Sequence, residues 1–332
     1  MTAYIAELFV GFVIIVLGAK FFTNGVEWLG RKLNLTRGAV GSILAAVGTA
    51  LPESIIPIVA IFLGAGAVGH EVGIGAILGA PFMLGTLALV MAGVAAISCR
   101  ERADRHHLQV GGAVRRDLSF FLILYPVAVG AAYLPPLGRH VVAAYLVLTY
   151  VYFVYRTFTR GKRLGEEEDL EPLLLARNSE EPSIWPIAGQ ILLSLAAIVV
   201  GAKVFVDGVA GVALSLGVPA FIFSLLIAPV ATELPEKFNS IIWVRNQKDT
   251  LALGNITGAM VFQGSLIPAF GMTATSWRLT EAAFLSAGLA FASAAILYAF
   301  MRVKGCLPVW LLLSMGGGFY FLFIAGVLTG IH

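Results

Sequence analysis

Charge is what this chain has least of. Only 12% of its 332 residues are Asp, Glu, Lys or Arg, and 59% are hydrophobic, whereas a soluble domain carries about 25% charged residues. The mean hydropathy is +0.90. A soluble fold has no use for so much apolar surface, and apolar runs of roughly 20 residues recur from end to end, as a chain of membrane-spanning helices requires. Cysteine is nearly absent. Cys99 and Cys306 stand beside basic residues at predicted span ends, which argues against a disulfide framework or a cysteine metal cluster. The spans hold no His/Asp/Glu cluster and no nucleophile–base pair, so no enzymatic activity is expected. The first apolar run ends in Lys20-Phe21-Phe22-Thr23-Asn24 and lacks a small-residue cleavage site, so it reads as a retained span.

Ten spans are predicted, over 4–22, 38–63, 71–97, 117–134, 139–157, 185–206, 218–243, 250–271, 280–300 and 308–328. The connections 98–116 and 158–184 read as charged and solvated, the second with the run Glu166-Glu167-Glu168-Asp169. Basic residues are almost missing from the even-numbered connections, which hold only Arg139 and Arg278. The odd-numbered ones hold Arg31, Lys32 and Arg37, then Arg100 to Arg116, Arg156 to Arg177, Arg245 and Lys248, and Arg302 and Lys304. The positive-inside rule then places both termini outside the cytoplasm, in the plasma (inner) membrane.

The chain repeats itself. Gly18-Ala19-Lys20-Phe21-Phe22-Thr23-Asn24-Gly25-Val26 matches Gly201-Ala202-Lys203-Val204-Phe205-Val206-Asp207-Gly208-Val209. The same offset of 183 carries Thr49, Pro52 and Glu53 onto Thr232, Pro235 and Glu236. Gly75-Ala76-Ile77-Leu78-Gly79-Ala80 matches Gly254-Asn255-Ile256-Thr257-Gly258-Ala259 at an offset of 179. Each half has five spans, an odd number, so the second half enters from the opposite side. The predicted architecture is all-α and integral to the membrane: ten helices in two inverted five-helix repeats, with broken helices at the midplane. Residues 1–157 form the first repeat, 158–184 a cytoplasmic charged linker, and 185–332 the second repeat. Such repeats place related half-sites face to face and permit alternating access.

Carboxylates deep in apolar spans are costly and mark function. Glu53, Glu233 and Glu236 are read as lying there. Hard cations take oxygen ligands from carboxylates, hydroxyls and freed carbonyls, and the repeated Thr-x-Leu-Pro-Glu offers all three. Thr49 and Glu53 share a helix face, as do Thr232 and Glu236. Each proline is read as a break that frees a carbonyl one turn back. The glycine-rich third and eighth spans are expected to pack closely and to present Asn255 and Gln263 to the site. Lys237 is expected to point away from the acids, snorkelling or paired elsewhere, because adjacent helical positions diverge by about 100°. Lys20 and Lys203 read as interfacial anchors, and His70 and Glu71 as solvated residues of an outer turn.

At these motifs the chain resembles the cation/calcium exchanger superfamily, most closely its sodium/calcium exchanger type. Members have two inverted five-helix halves, with a repeat resembling Gly-Thr-Ser-x-Pro-Glu in one span and Gly-Asn-x-x-Gly-Ser-Asn in the next. The resemblance covers nearly the whole chain. It implies an antiporter of calcium or a related cation against sodium or protons, with Thr49, Glu53, Thr232 and Glu236 as central ligands and Glu53 and Glu236 on the metal. It also implies that spans 4–22 and 185–206 are the sliding gate pair. The transported cations are substrates; no cofactor and no nucleic-acid partner is expected beyond bilayer and ions. The chain departs from the pattern at Ala50 and Glu233, where the family has Ser, at Ala76, at Ala80 and Ala259, at Pro81 and Met260, and at Leu84 and Gln263. These departures leave open a different cation, stoichiometry or proton coupling, and also a uniporter or a non-transporting sensor on the same scaffold.

Overall fold

The computed structural model describes residues 1–33, 45–160, 171–177, 179 and 181–331, and for 45–52, 158–160 and 234–236 it describes the backbone alone. The chain is almost wholly helical. In order the helices are α1 (Thr2–Lys32), α2 (Ala45–Leu63), α3 (Gly66–Gly85), α4 (Leu87–Ser98), α5 (Gly112–Gly130), α6 (Pro136–Arg160), α7 (Ile184–Leu216), α8 (Ala220–Arg245), α9 (Asp249–Gln263), α10 (Leu266–Ala274), α11 (Glu281–Lys304) and α12 (Val309–Leu328). Among the described residues, eight helical stretches are long and apolar enough to cross a membrane, with α3–α4 and α9–α10 each counted as one. Two shorter apolar stretches, Glu53–Leu63 and Ala220–Glu233, lie where the second and seventh spans are predicted. Residues 38–44 of the predicted second span lie outside the described residues.

The chain divides into two compact units, Met1–Gly69 with Val154–Gly217, and His70–Phe153 with Val218–His332. In the first unit α1 and α7 lie along each other, antiparallel. A Cβ on Gly11 would stand 2.5 Å from the Phe205 nitrogen, one on Gly18 2.7 Å from Ile198, one on Gly25 2.9 Å from Ile191, and one on Gly208 2.6 Å from the Leu8 nitrogen. As the α1 number rises the α7 number falls in step, so one glycine seam runs most of the length of both helices. Small residues let the backbones meet there. Helix α2 packs on both.

The linker is not wholly solvated, as the sequence led us to expect. Its segment 171–177 is laid across α1 and α7. Leu173 is fully buried with Trp28 and Ile187. The Asn24 amide donates to the Glu171 carbonyl at 3.3 Å, and the Trp28 indole donates to the same oxygen at 2.9 Å. The Leu174 amide donates to Asn24 Oδ1 at 3.1 Å, and the Leu175 amide to Gln190 Oε1 at 2.9 Å. Gln190 in turn donates to Asn24 Oδ1 at 2.9 Å and to the Phe21 carbonyl at 2.8 Å. A segment that buries one leucine and pairs its backbone with two buried amides loses its reason to stay in water. The acidic run Glu166-Glu167-Glu168-Asp169 lies outside the described residues.

The second unit holds the remaining helices and a small antiparallel sheet, β1 (His107–Gln109) with β2 (Cys306–Pro308), Leu108 opposite Leu307. The basic connection 98–116 is therefore structured. Arg102 is its anchor. Buried at 6% exposure, it grips Asp249 with two bonds of 2.7 and 2.9 Å. Asp249 also accepts from the Gln109 amide at 2.9 Å, and Arg102 donates to the Val244 carbonyl. The hydrogen bond from Asp249 raises the Arg102 pKa above its ordinary value. The odd-numbered connections between α4 and α5, α8 and α9, and α11 and α12 thus meet at one end of this unit. At the other end the even-numbered connections meet: the Trp277 indole donates to the Ala128 carbonyl at 3.0 Å, and Arg139 donates to the Ser276 carbonyl.

The helix interruptions do not fall where the prolines predicted. The backbone of α2 stays helical through position 52 and that of α8 through position 235. The breaks come one span later, in both halves. Thr86 (φ −125°, ψ −86°) separates α3 from α4, and the turn Gly264-Ser265 (Ser265 φ −133°, ψ −71°) separates α9 from α10. Each hydroxyl turns back on its own helix: Thr86 donates to the Phe82 carbonyl at 2.6 Å and Ser265 to the Val261 carbonyl at 2.5 Å. Both residues are fully buried, and both pairs obey the 179-residue offset. A proline in a membrane helix is tolerated when neighbours satisfy the freed groups, whereas a glycine followed by a hydroxyl residue is a common place for a sharp bend.

Candidate functional site

A buried polar stripe of the second unit lies on α8. At about 100° per residue, Thr232, Glu233, Lys237 and Ser240 fall within one arc of roughly 140°, and position 236 falls inside the same arc. In an apolar helix such a stripe must face something other than lipid. Thr232 is 9% exposed, Glu233 0%, Lys237 1% and Ser240 2%. Thr232 Oγ1 donates to the Ala228 carbonyl at 3.2 Å. Asn255, on α9, donates from Nδ2 to Ser240 Oγ at 3.2 Å, so the predicted polar residue of the eighth span is tied to the stripe. Gln263 is buried at the C-terminal end of α9, immediately before the break.

Helix α3 backs α8 closely. A Cβ on Gly75 or Gly79 would collide with the Phe221 or Leu225 carbonyl oxygen, and Ser224 Oγ donates to the Val72 carbonyl at 2.7 Å. The expected close packing of the third span is thus against the helix that carries the acids. His70 and Glu71 are exposed, but in the first turns of α3 rather than in a turn between helices.

Lys237 does not behave as the sequence suggested. It neither snorkels nor leaves the acids: Nζ lies 3.2 Å from Glu233 Oε2, one turn back on the same helix. An ammonium and a carboxylate buried together are each costly to desolvate and hold each other in place. Lys203 also pairs one turn along, with Asp207, but both are about half exposed, and Lys203 lies in the middle of α7 rather than near a helix end. Lys20 is exposed.

In the first unit Glu53 is 6% exposed on α2. The side chains of Thr49 and Glu236 lie outside the described residues. Glu53 therefore belongs to one unit and Thr232, Glu233, Asn255 and Gln263 to the other.

Three polar groups escaped the sequence reading. Asp117 is buried in α5, accepting from Thr257 at 3.1 Å and from Arg116 at 3.0 Å. Its signal was an acid at the edge of a span beside two arginines. Gln190 and Asp249 were legible only as polar residues at helix ends; their long-range partners, Asn24 and Arg102, have no local signature.

The profile of the sodium/calcium exchanger protein family matches residues 3–159 and 187–330. The chain belongs to that family. This exchanger-family protein is 27% identical over 275 residues to CaxA, an antiporter candidate of Alkalimonas amylolytica, covering 78% of this chain and 77% of that one. It is 25% identical over 264 residues to the inner membrane protein YrbG of Escherichia coli, covering 77% and 75%. Its fold is that of the H+/Ca2+ exchanger CAX, with a TM-score of 0.76 at 17% identity over 98% of this chain and 82% of that one. It also matches the sodium-calcium exchanger NCX_Mj, with a TM-score of 0.58 at 18% identity over 98% of each chain. The protein is thus an integral membrane protein of a cation/calcium antiporter family.

Proposed function

We propose that this protein is a secondary antiporter that exchanges calcium, or a related divalent cation, against sodium or protons by alternating access. Its ten spans form two inverted five-helix repeats. Glu53 and Glu236 hold the ion from opposite half-sites, with Thr49 and Thr232 adding oxygens and Glu233, Asn255 and Gln263 completing the surroundings. The observation that carries the reading is burial. In a chain of exchanger ancestry, Glu53 and Glu233 sit at 6% and 0% exposure inside largely apolar helices. Evolution retains such charges where a cation comes to meet them. The antiparallel course of the repeat-related helices α1 and α7, and the paired breaks at Thr86 and Ser265, support the inverted repeat.

The mechanism follows from solvation. Bare carboxylates in a dry interior are expensive, and either ion set neutralises them. The occluded state is then open to the loaded protein and closed to the empty one, which turns carriage into exchange.

The test is flux in proteoliposomes. Calcium uptake is driven first by an outward sodium gradient and then by a proton gradient, with Glu53→Gln and Glu236→Gln beside the parent. The expected result is gradient-driven uptake in the parent and background uptake in both variants. Parent-like transport by both variants would remove the site assignment. Calcium flux with no counter-ion requirement would make the protein a uniporter, and no flux at all a non-transporting relative.

A further inference from the structure

The second half carries an acid and a base that the first half lacks. The repeat offset of 183 pairs Glu233 with Ala50 and Lys237 with Ser54. Both mates are small and neutral. The additions therefore stand four residues apart in one half only, and they are bonded to each other at 3.2 Å. Lys237 is 1% exposed, so its ammonium is held in the interior with Glu233. Glu233 lies three residues before Glu236 and next to Thr232, on the arc that carries the proposed ion ligands.

We propose that the Lys237 ammonium is a tethered cation that takes the place of one transported monovalent ion, and so sets the coupling ratio of the exchanger. This rests on the antiporter reading above. An added carboxylate on the α8 arc that carries proposed ligands would by itself demand one more positive charge whenever the site closes, because a dry, uncompensated carboxylate blocks closure. Lys237 supplies that charge permanently. It cannot leave with the substrate, so it compensates Glu233 in every state of the cycle and removes one ion from the count.

The experiment reads stoichiometry, which packing does not alter. In proteoliposomes, with calcium and whichever monovalent ion drives the parent, one finds the gradient at which net calcium flux is zero. Lys237→Met removes the tethered charge, and the ratio should rise by about one monovalent ion per calcium. Glu233→Gln removes the added carboxylate charge and keeps the ammonium, and the ratio should fall. The double variant Glu233→Gln/Lys237→Met, neutral and of similar volume, should return to the parent's ratio. If the single variants do not transport and the double one does, charge balance is again what matters, and the proposal stands. If either single variant transports at the parent's ratio, the pair is only a structural tie and the proposal fails. If the double variant is as inactive as the singles, the pair itself and not its charge is required, and the proposal fails too. A parent that exchanges normally in these last cases leaves the antiporter reading intact; a parent that does not exchange ends that reading instead.

Discussion

A lysine and an arginine, both buried, show how far single residues decide this structure. Arg102 and Asp249 join two connections at one end of the second unit through two short charge-assisted bonds, and β1–β2 ties in the third. Removing one partner strands the other charge, which costs roughly 3–5 kcal/mol at a buried site. Arg102→Met should therefore lower the melting temperature of the detergent-solubilised protein markedly, and Arg102→Met/Asp249→Leu should recover most of the loss. A double variant as unstable as the single one would show that Arg102 acts through its carbonyl contacts rather than through Asp249. The acidic residues of the spans were legible in the sequence because charge is so rare there. Lys237 was misjudged for a definite reason. Its neighbour Glu236 diverges from it by about 100°, but Glu233 lies one turn back and nearly beneath it. The relevant spacing was i, i+4 and not i, i+1.

At the scale of elements, the apolar runs placed most described spans to within a few residues, because length and hydropathy are what a bilayer demands; α1 and α7 run ten residues beyond the predicted ends at 22 and 206. Interruptions were harder. A proline removes one hydrogen bond and announces it in the sequence; the backbone nevertheless stays helical through positions 52 and 235. The bends at Thr86 and Ser265 announce themselves only as a glycine followed by a hydroxyl residue. Each hydroxyl bonds a carbonyl four residues back, and Thr86→Ala or Ser265→Ala should each cost about 1 kcal/mol, read from thermal melts. The α1–α7 seam is stricter. At Gly11 the opposing atom is backbone, which cannot rotate aside, so Gly11→Val should destabilise by about 1–3 kcal/mol through overpacking. At Gly112, where nothing lies within reach of a Cβ, the same change should be mild. The linker segment 171–177 offers a chemical readout. Asn24→Leu removes bonds to Glu171, Pro172 and Leu174, and trypsin should then cut after Arg177 faster than in the parent. Unchanged cleavage would mean that Leu173, with the Trp28 and Gln190 bonds, holds the segment down without Asn24.

For the whole molecule, charge distribution was the best guide to topology. Three of the five basic connections meet at one end of the second unit, and two of the poorly charged ones meet at the other. That grouping agrees with the alternation of basic and non-basic connections along the chain. The native cysteines make the absolute orientation measurable. Cys99 and Cys306 are free, partly exposed and both at the basic end. A membrane-impermeant maleimide should label them in inside-out vesicles and spare them in right-side-out vesicles. The opposite pattern would invert the topology and place the termini in the cytoplasm. The long-range ties, such as Asn24 to Gln190 and Arg102 to Asp249, were illegible because each joins ordinary polar residues far apart in sequence.

The glycine seam has a mechanical meaning for transport. Two helices meshed backbone to backbone over most of their length, and tied at one end by the linker, behave as a stiff beam rather than as two sliding rods. Shear along the seam would drive the Phe205 backbone against Gly11 and the Leu8 backbone against Gly208. The compliant surfaces must then lie on the outside of the beam. Helix α2 rests on both of its members and carries Glu53, so under the proposed function a push felt by that carboxylate would be delivered to the whole beam at once.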